Sequence, residues 1–348
     1  MKTIRTIKLL VSFLWLTNLC SQDLENILLA KDDAQILAGA YLAPAFKGLI
    51  YSMNNGWYHT AKVHKKFGFD ISIGANAAFV PSKDEIFNLA ALNLSEKTSV
   101  TNGLTSSPTL AGSNNISPAE LEYTTTLQGQ DVSVDFTLPE GVKEDLPISA
   151  VPAPVVQVSL GLPFKLDAIV RYVPKVGSDD VKAGLFGLGV KKEITDWLGV
   201  LGKTPLHISV LAAYSNMSVD YNIDTDEAES GNVITRNASA EFGLNTFSLQ
   251  AIASLNFPII NLYGGLGYNT GSVKLNMLGS YELFYQPSDI AEEAVSETIT
   301  DPVSLKTSTG SLNATLGARI SLGFFKIYGS YTLQEYNTLN AGIAFSIR

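Results

Sequence analysis

Apolar and polar residues alternate along much of this chain, which is typical of β-strands with one apolar and one polar face. Near the start, the apolar positions are Phe67, Phe69, Ile71, Ile73, Ala75, Ala77 and Phe79. Polar residues such as Asp70, Ser72 and Asn76 stand between them, and the same alternation recurs over residues 311–320. Repeated along a chain, this pattern predicts a barrel wall with lipid outside and a polar lumen inside.

About eleven segments have this strand character: 57–64, 67–80, 155–160, 164–173, 181–192, 206–221, 235–255, 261–284, 305–322, 325–333 and 338–347. Because single-chain bacterial barrels usually have an even number of strands, we expect about twelve, within a range of roughly 10–14. The missing strand would lie in residues 40–51 or in the long polar insert 82–148, which we predict to be extracellular. The predicted fold is all-β, a transmembrane antiparallel β-barrel with a short N-terminal helix and plug.

Aromatic residues and side-chain parity add detail to this barrel. One aromatic group falls beside the short turns: Phe67, Phe164, Trp197, Phe257, Phe324 and Phe325. A second falls toward the other strand ends: Tyr172, Tyr214, Tyr281 and Tyr331. Two such groups predict girdles at the two membrane interfaces. Phe242 and Leu244 have one parity, whereas Phe247 and Leu249 have the other, which predicts a β-bulge near Asn245.

The N-terminal residues have the features of a processing segment. Basic residues precede an apolar run over 9–16, so residues 1–21 are predicted to be a signal peptide, with lipidation of Cys20 as the alternative. Residues 22–50 are predicted to form a helix and a lumen plug, and residues 51–348 the barrel. Pro44 and Gly48 make 41–50 a poor central strand, so Tyr41, Pro44 and Phe46 are assigned to the plug. We expect it to pack near Gly187 and Gly265.

Composition excludes several classes of function. The 24 basic and 33 acidic residues give a net charge of −9, so nucleic acid is not an expected partner. Cys20 is the only cysteine, and its removal with a signal peptide would leave no thiol for a disulfide or a metal. His59, His64 and His207 do not have metal-ligand spacing, and no catalytic motif is present. We therefore expect no enzyme activity, no metal and no cofactor.

Charged residues at inward-facing positions are the candidates for a ligand path. They are Asp70, Lys165, Asp167, Arg171, His207, Glu241, Arg319 and Lys326. Mixed charge in a lumen can line a water-filled path or a ligand site. It can equally form ion pairs that fill a closed barrel without any transport.

Two segments also resemble known proteins. The sequences YLAPAF at 41–46 and SMNNGWYHTAKVHKKFGFD at 52–70 resemble the start of an uncharacterised family of Gram-negative outer-membrane barrels. The layout is distantly similar to the long-chain fatty-acid transporter family, in which an N-terminal segment plugs the lumen. The resemblance implies an outer-membrane location, and fold alone does not fix function.

These observations lead to two functional hypotheses. The first is a barrel that binds or passes a small molecule, a hydrophobic one included, across the outer membrane. The alternative is a non-transporting barrel that scaffolds or anchors a cell-envelope partner. Expected partners are outer-membrane lipid and lipopolysaccharide, and the assembly machinery, which would read the last strand, 340–347.

Overall fold

A computed structural model describes residues 25–178, 180–197, 199, 204–223, 232–287 and 294–347. The predicted signal peptide and Cys20 lie outside the described residues. A 3₁₀ segment, Ile27–Asp33, precedes one long helix, α1 (Ala34–Asn54). Further 3₁₀ turns include Ser82–Asp84, Leu89–Ala91, Lys143–Asp145 and Pro147–Ser149.

The described residues contain sixteen strands. The first six are β1 (Phe69–Ala78), β2 (Ile86–Asn88), β3 (Thr98–Val100), β4 (Ser106–Pro108), β5 (Glu120–Leu127) and β6 (Gln130–Thr137). The next six are β7 (Val151–Leu162), β8 (Leu166–Gly177), β9 (Val181–Glu193), β10 (Leu206–Ile223), β11 (Val233–Asn256) and β12 (Ile260–Pro287). The last four are β13 (Val295–Thr300), β14 (Val303–Leu322), β15 (Phe325–Leu333) and β16 (Thr338–Ile347).

Ten of these strands form a closed antiparallel ring, in the order β1-β7-β8-β9-β10-β11-β12-β14-β15-β16 and back to β1. Closure pairs Phe69 with Ile347, so the first and last wall strands meet. The count is at the lower end of the expected range. The sequence pattern suggested a strand at residues 57–64. These residues instead have irregular backbone inside the barrel, where polar groups of the wall can hydrogen-bond to their N–H and C=O groups.

The outer face of the ring carries an apolar band. Large side chains such as Leu266, Leu312 and Leu316 are 68%, 78% and 74% exposed, as a lipid-facing wall requires. Exposed aromatics mark both ends of the barrel. At the end with the short turns, called the inner rim, they are Phe67, Phe164, Trp197, Phe257 and Phe324. At the opposite end, called the outer rim, they include Tyr172, Tyr214, Tyr268 and Tyr331. Tyr281 does not belong to this girdle, because it is fully buried and lies beyond Tyr268 on the same strand.

Strand β11 keeps its register past Asn245, so the predicted bulge is absent there. The only shift between β11 and β12 among the described pairs lies between Arg236 and Ser239. Phe242 and Leu244 point inward and Phe247 points outward with unbroken alternation. The parity change in the sequence therefore reflects a change of lumen chemistry, from polar in the inner half to apolar in the outer half.

The outer half of the lumen is apolar because α1 occupies it. Residues 27–54 are long and apolar enough to cross a membrane by composition alone, yet most of this stretch is buried within the barrel. The helix runs unbroken through Pro44 to Asn54, beyond the plug boundary expected at residue 50. Its buried side chains form one core with inward residues of the wall, such as Leu244 and Val273.

Residues 79–150 form the outer insert. Strands β3, β5 and β6 make a small sheet that joins the end of β12, where Gln286 pairs with Ser133. The insert is tied to the start of α1 by Asp33, which accepts hydrogen bonds from Ser95 and Thr98. It thus covers the outer end of the lumen.

The wall has a seam between β7 and β8 in its outer part. The two strands pair only from Gln157 and Arg171 toward the inner turn, although β7 stays paired with β1 as far as Val151. Pro152 and Pro154 on β7 and Pro174 on β8 cannot donate hydrogen bonds, which explains the missing ladder. The seam begins at the level of Tyr172, so its unpaired backbone lies beyond the apolar band.

Candidate functional site

Residues 55–68, which we call the lumen segment, connect α1 to β1 and run through the inner half of the lumen. Trp57 and Tyr58 are 2% and 7% exposed and pack against rows of wall glycines. A Cβ at Gly189 would lie 3.2 Å from the Trp57 ring. The Tyr58 hydroxyl lies against Gly265. Gly187 and Gly265, where residues 41–50 were expected to pack, thus contact Trp57 and Tyr58 instead, whereas Ile50 lies against Gly271 farther along β12.

Arg171 holds the junction between α1 and this segment. Its guanidinium donates to the carbonyl oxygens of Met53 and Asn55, at 3.0 and 2.7 Å, and to the Gln157 side chain at 3.1 Å. The last carbonyls of a helix lack intrahelical donors and carry partial negative charge. A buried cation at this position therefore completes the C-terminus of α1 and fixes it to the wall.

A row of ionisable side chains lies between Arg171 and the inner rim. Asp70 contacts His59 Nε2 at 3.3 Å and His64 Nε2 at 3.1 Å. His64 Nδ1 lies 3.1 Å from Asp167, which also pairs with Lys191 at 3.0 Å. Since both ring nitrogens of His64 face carboxylates, the doubly protonated imidazolium fits this position. The buried charges are paired, and the pairs join the lumen segment to three strands of the wall.

Arg319 completes this chain at its other end. Arg319 Nη1 donates to His59 Nδ1 at 2.9 Å, which leaves the Nε2–H of His59 to donate to Asp70. No group of three or more His, Cys, Asp and Glu side chains with the arrangement of a metal site occurs in the described part of the chain. Through its contacts with Asp70, Asp167 and Arg319, the cluster holds the lumen segment to the wall.

Most of the candidate site residues predicted from the sequence lie in the lumen. Asp70, Asp167, Arg171, Arg319 and Lys326 are buried in the lumen. His207 is half-buried near the inner end, with Nδ1 2.8 Å from Glu193. Of the plug candidates, Tyr41 donates to the Glu140 carbonyl at 2.8 Å, Phe46 contacts Phe242, and Pro44 is buried inside α1.

Two candidates are wrong. Lys165 lies in the exposed turn after β7, where it pairs with Asp196 at 2.6 Å, because β8 begins only at the next residue. Glu241 is exposed and shares the outward parity of Phe247, since β11 has no bulge near Asn245.

A cavity of 640 Å³ opens at the inner rim, between the lumen segment and the wall. Lys62, Asn261 and Lys326 are among its lining residues. A crevice of only 40 Å³, which shares Lys62 and Lys326 with this cavity, lies beside His64 and Arg319. The lumen segment therefore fills most of the inner half of the barrel.

A second cavity, of 280 Å³, lies in the outer half between α1, the wall and the insert. We call it the outer cavity. Its lining includes Leu42, Phe46 and Leu49 from α1, Met217, Val219, Phe242, Leu275 and Met277 from the wall, and Leu110 and Leu146 from the insert. The wall residues lie beyond Tyr214, Phe247 and Tyr268 on their strands, so the cavity is on the outer side of the apolar band.

Sequence reasoning missed this cavity and its one carboxylate, Glu25, which is 9% exposed. A signal was nevertheless present. Apolar residues such as Phe242 and Leu244 have the parity of the polar lumen residues Thr246 and Ser248. That pattern marks an inward face that turns apolar toward the outer end.

The closed ring, the apolar band and the filled lumen define a transmembrane β-barrel whose N-terminal segment occupies its own lumen. The chain belongs to a family of unknown function, DUF6588, whose model matches residues 1–347. A search of curated proteins finds no match in sequence.

Several solved structures are similar at low sequence identity. They include the attachment invasion locus protein Ail of Yersinia pestis in complex with the heparin analogue sucrose octasulfate, with 11% identity, a TM-score of 0.27, and coverage of 81% of this chain and 100% of that chain. The translocator domain of the autotransporter NalP from Neisseria meningitidis has 10% identity, a TM-score of 0.27, and coverage of 82% and 90%. The outer membrane protease OmpT from Escherichia coli has 10% identity, a TM-score of 0.28, and coverage of 82% and 99%. The barrel assignment rests on the ring of ten strands itself.

Proposed function

We propose that this protein is a Gram-negative outer-membrane barrel that binds a small hydrophobic molecule in its outer cavity. The observation that supports it is a 280 Å³ space lined almost entirely by apolar side chains, inside a barrel whose inner half is polar. Typical ligand sites are apolar cavities of about 300–1,000 Å³ with few polar groups, and the outer cavity lies just below this range. The size suits a single short chain or a small ring system.

Passage across the membrane would need a second step. Residues 55–68 are held by Arg171, Asp70 and Asp167, so a ligand can reach the inner side only after these contacts rearrange. Binding is therefore the primary proposal, and transport is conditional on this movement. The resemblance to fatty-acid transporters is one of sequence layout and includes no residue of a ligand site.

Binding can be tested with the purified protein in amphipol, titrated with the fluorescent apolar probe N-phenyl-1-naphthylamine. We expect saturable binding, which Ala240→Trp weakens at least about tenfold because the new ring fills the cavity. Ala90→Trp, on the exposed insert, is the matched control and should bind like wild type. Heat-modifiable migration checks that each variant is folded. Equal binding by folded Ala240→Trp and wild type would exclude this site.

Location needs its own test. Separation of the membranes of the natural host should give the protein in the outer-membrane fraction. Recovery as a soluble protein without detergent would contradict the proposal.

The scaffold alternative is supported by a different feature, the folded insert over the outer end of the lumen. An insert that only closes the barrel needs no conserved outward surface, whereas a scaffold must bind a partner there. Cross-linking from exposed Glu120 in intact cells would favour the scaffold if it captured one envelope protein in stoichiometric amounts.

A further inference from the structure

Glu25 gives the outer cavity a chemical polarity. It is the one charged side chain among the described residues that line the cavity, and 91% of it is buried. Within the described part of the chain, no hydrogen bond or ion pair involves its carboxyl group. Burial alone raises the pKa of Glu25 to about 7.

Among the residues that the structure describes, no basic group offsets the effect of burial on Glu25, and three lysines of the N-terminal segment and the insert are already paired with other carboxylates. Lys31 contacts Glu297 at 2.7 Å, Lys97 contacts Asp32 at 2.8 Å, and Lys143 contacts Glu85 at 2.8 Å. Two phenols of the wall are relevant: Tyr221 lines the cavity, and Tyr281, whose pKa is raised by burial and by the charge of Glu25, donates to a backbone carbonyl. Burial of a carboxylate lowers stability unless a cation or hydrogen-bond donors lie against it.

We propose that the ligand of the outer cavity is an amphiphile with an apolar body and a cationic amine head, which pairs with Glu25. This inference rests on the proposed function. The apolar lining would hold the body, and the ammonium group would donate charge-assisted hydrogen bonds to the carboxylate. A fatty-acid carboxylate at the same place would bring two like charges together in an apolar site, which disfavours it.

Three probes of equal chain length test the head group: octylamine, octanol and octanoate, each measured by displacement of the naphthylamine probe at pH 7.5. Octylamine should bind at least about tenfold more tightly than octanoate, with octanol between them. This ranking is measured on the wild-type protein, so it does not depend on a variant that folds.

Substitution then assigns the preference to Glu25. Glu25→Gln should weaken octylamine about tenfold, leave octanol within about twofold, and improve octanoate, whereas Glu120→Gln on the exposed insert should change none of them. Tightest binding of octanoate, or an amine preference that survives Glu25→Gln, would overturn the head-group proposal while the apolar site stands. Failure of the naphthylamine probe and all three chains to bind would instead overturn the proposed function.

Discussion

The guanidinium carbon of Arg171 lies 3.8 Å from the ring centroid of Trp57, so a wall cation stacks on an aromatic ring of the lumen segment. Both side chains are essentially buried. The stacking adds to the hydrogen bonds that Arg171 donates to the end of α1. One wall residue thus connects the helix in the outer half of the lumen with the segment that fills the inner half.

Removal of this cation should loosen the lumen. Arg171→Leu leaves the carbonyl oxygens of Met53 and Asn55 without their donor, and we expect it to lower the free energy of unfolding by about 3 kcal/mol. Ion conductance in planar bilayers should rise, because residues 53–58 lose their attachment to β8. Arg236→Leu is the control, since that arginine is exposed and only contacts Glu282 at 3.3 Å. Unchanged stability and conductance in Arg171→Leu would contradict the anchoring role.

The lipid-facing wall can be tested on a single strand. Leu316 is outward-facing and midway along the apolar band, so Leu316→Arg should cost about 2–4 kcal/mol in urea unfolding from lipid vesicles. Ser308→Arg, on the same face of β14 but beyond the band, should change stability by less than about 1 kcal/mol. Similar losses at the two positions would mean that the membrane boundary is misplaced.

Acid should weaken the attachment of α1 at the outer rim. Burial disfavours ionisation of Glu335, but hydrogen bonds from Tyr51 at 2.5 Å and Thr309 at 2.9 Å, and the charge of Lys47, lower its pKa below 4.5. A lowered carboxyl pKa stabilises the fold above the unfolded value, and this contribution disappears as the pH falls through the folded value. Thermal stability should therefore decrease below about pH 4.5, and less steeply in Glu335→Gln than in wild type. Identical pH profiles would argue against this contact.

The seam between β7 and β8 should be visible in hydrogen exchange. Peptides covering residues 172–177 should take up deuterium faster than those covering 166–171, because only the latter pair with β7. Strand β1 is the internal control, since it is paired on both sides along its whole length. Uniform protection along β8 would show that the ladder extends past Arg171.

Local patterns were sufficient for the wall. Ten of the segments predicted from alternation correspond to the ring strands, because the direction of a side chain in a strand depends only on its position in the pleat. The exposed aromatic residues beside the short turns could also be predicted from the sequence, because their place at the rim depends only on the position of each turn. Tyr281 failed this test, because a long strand can run beyond the membrane and carry an aromatic residue into a buried core.

The sequence by itself therefore determined that this chain forms a transmembrane barrel with an N-terminal plug, since alternation and turns are local properties. Only the tertiary structure decided what the lumen contains. Trp57 alternates like a wall residue, and it becomes a lumen residue because glycines on β9 leave room for its ring. The parity of Phe242 suggested a bulge in the sequence. Phe242 is in fact an inward residue whose surroundings are apolar because α1, almost two hundred residues earlier in the chain, packs against it. Glu25 acquires an apolar pocket only when the helix, wall and insert meet around it, and no local pattern encodes such a meeting of distant segments.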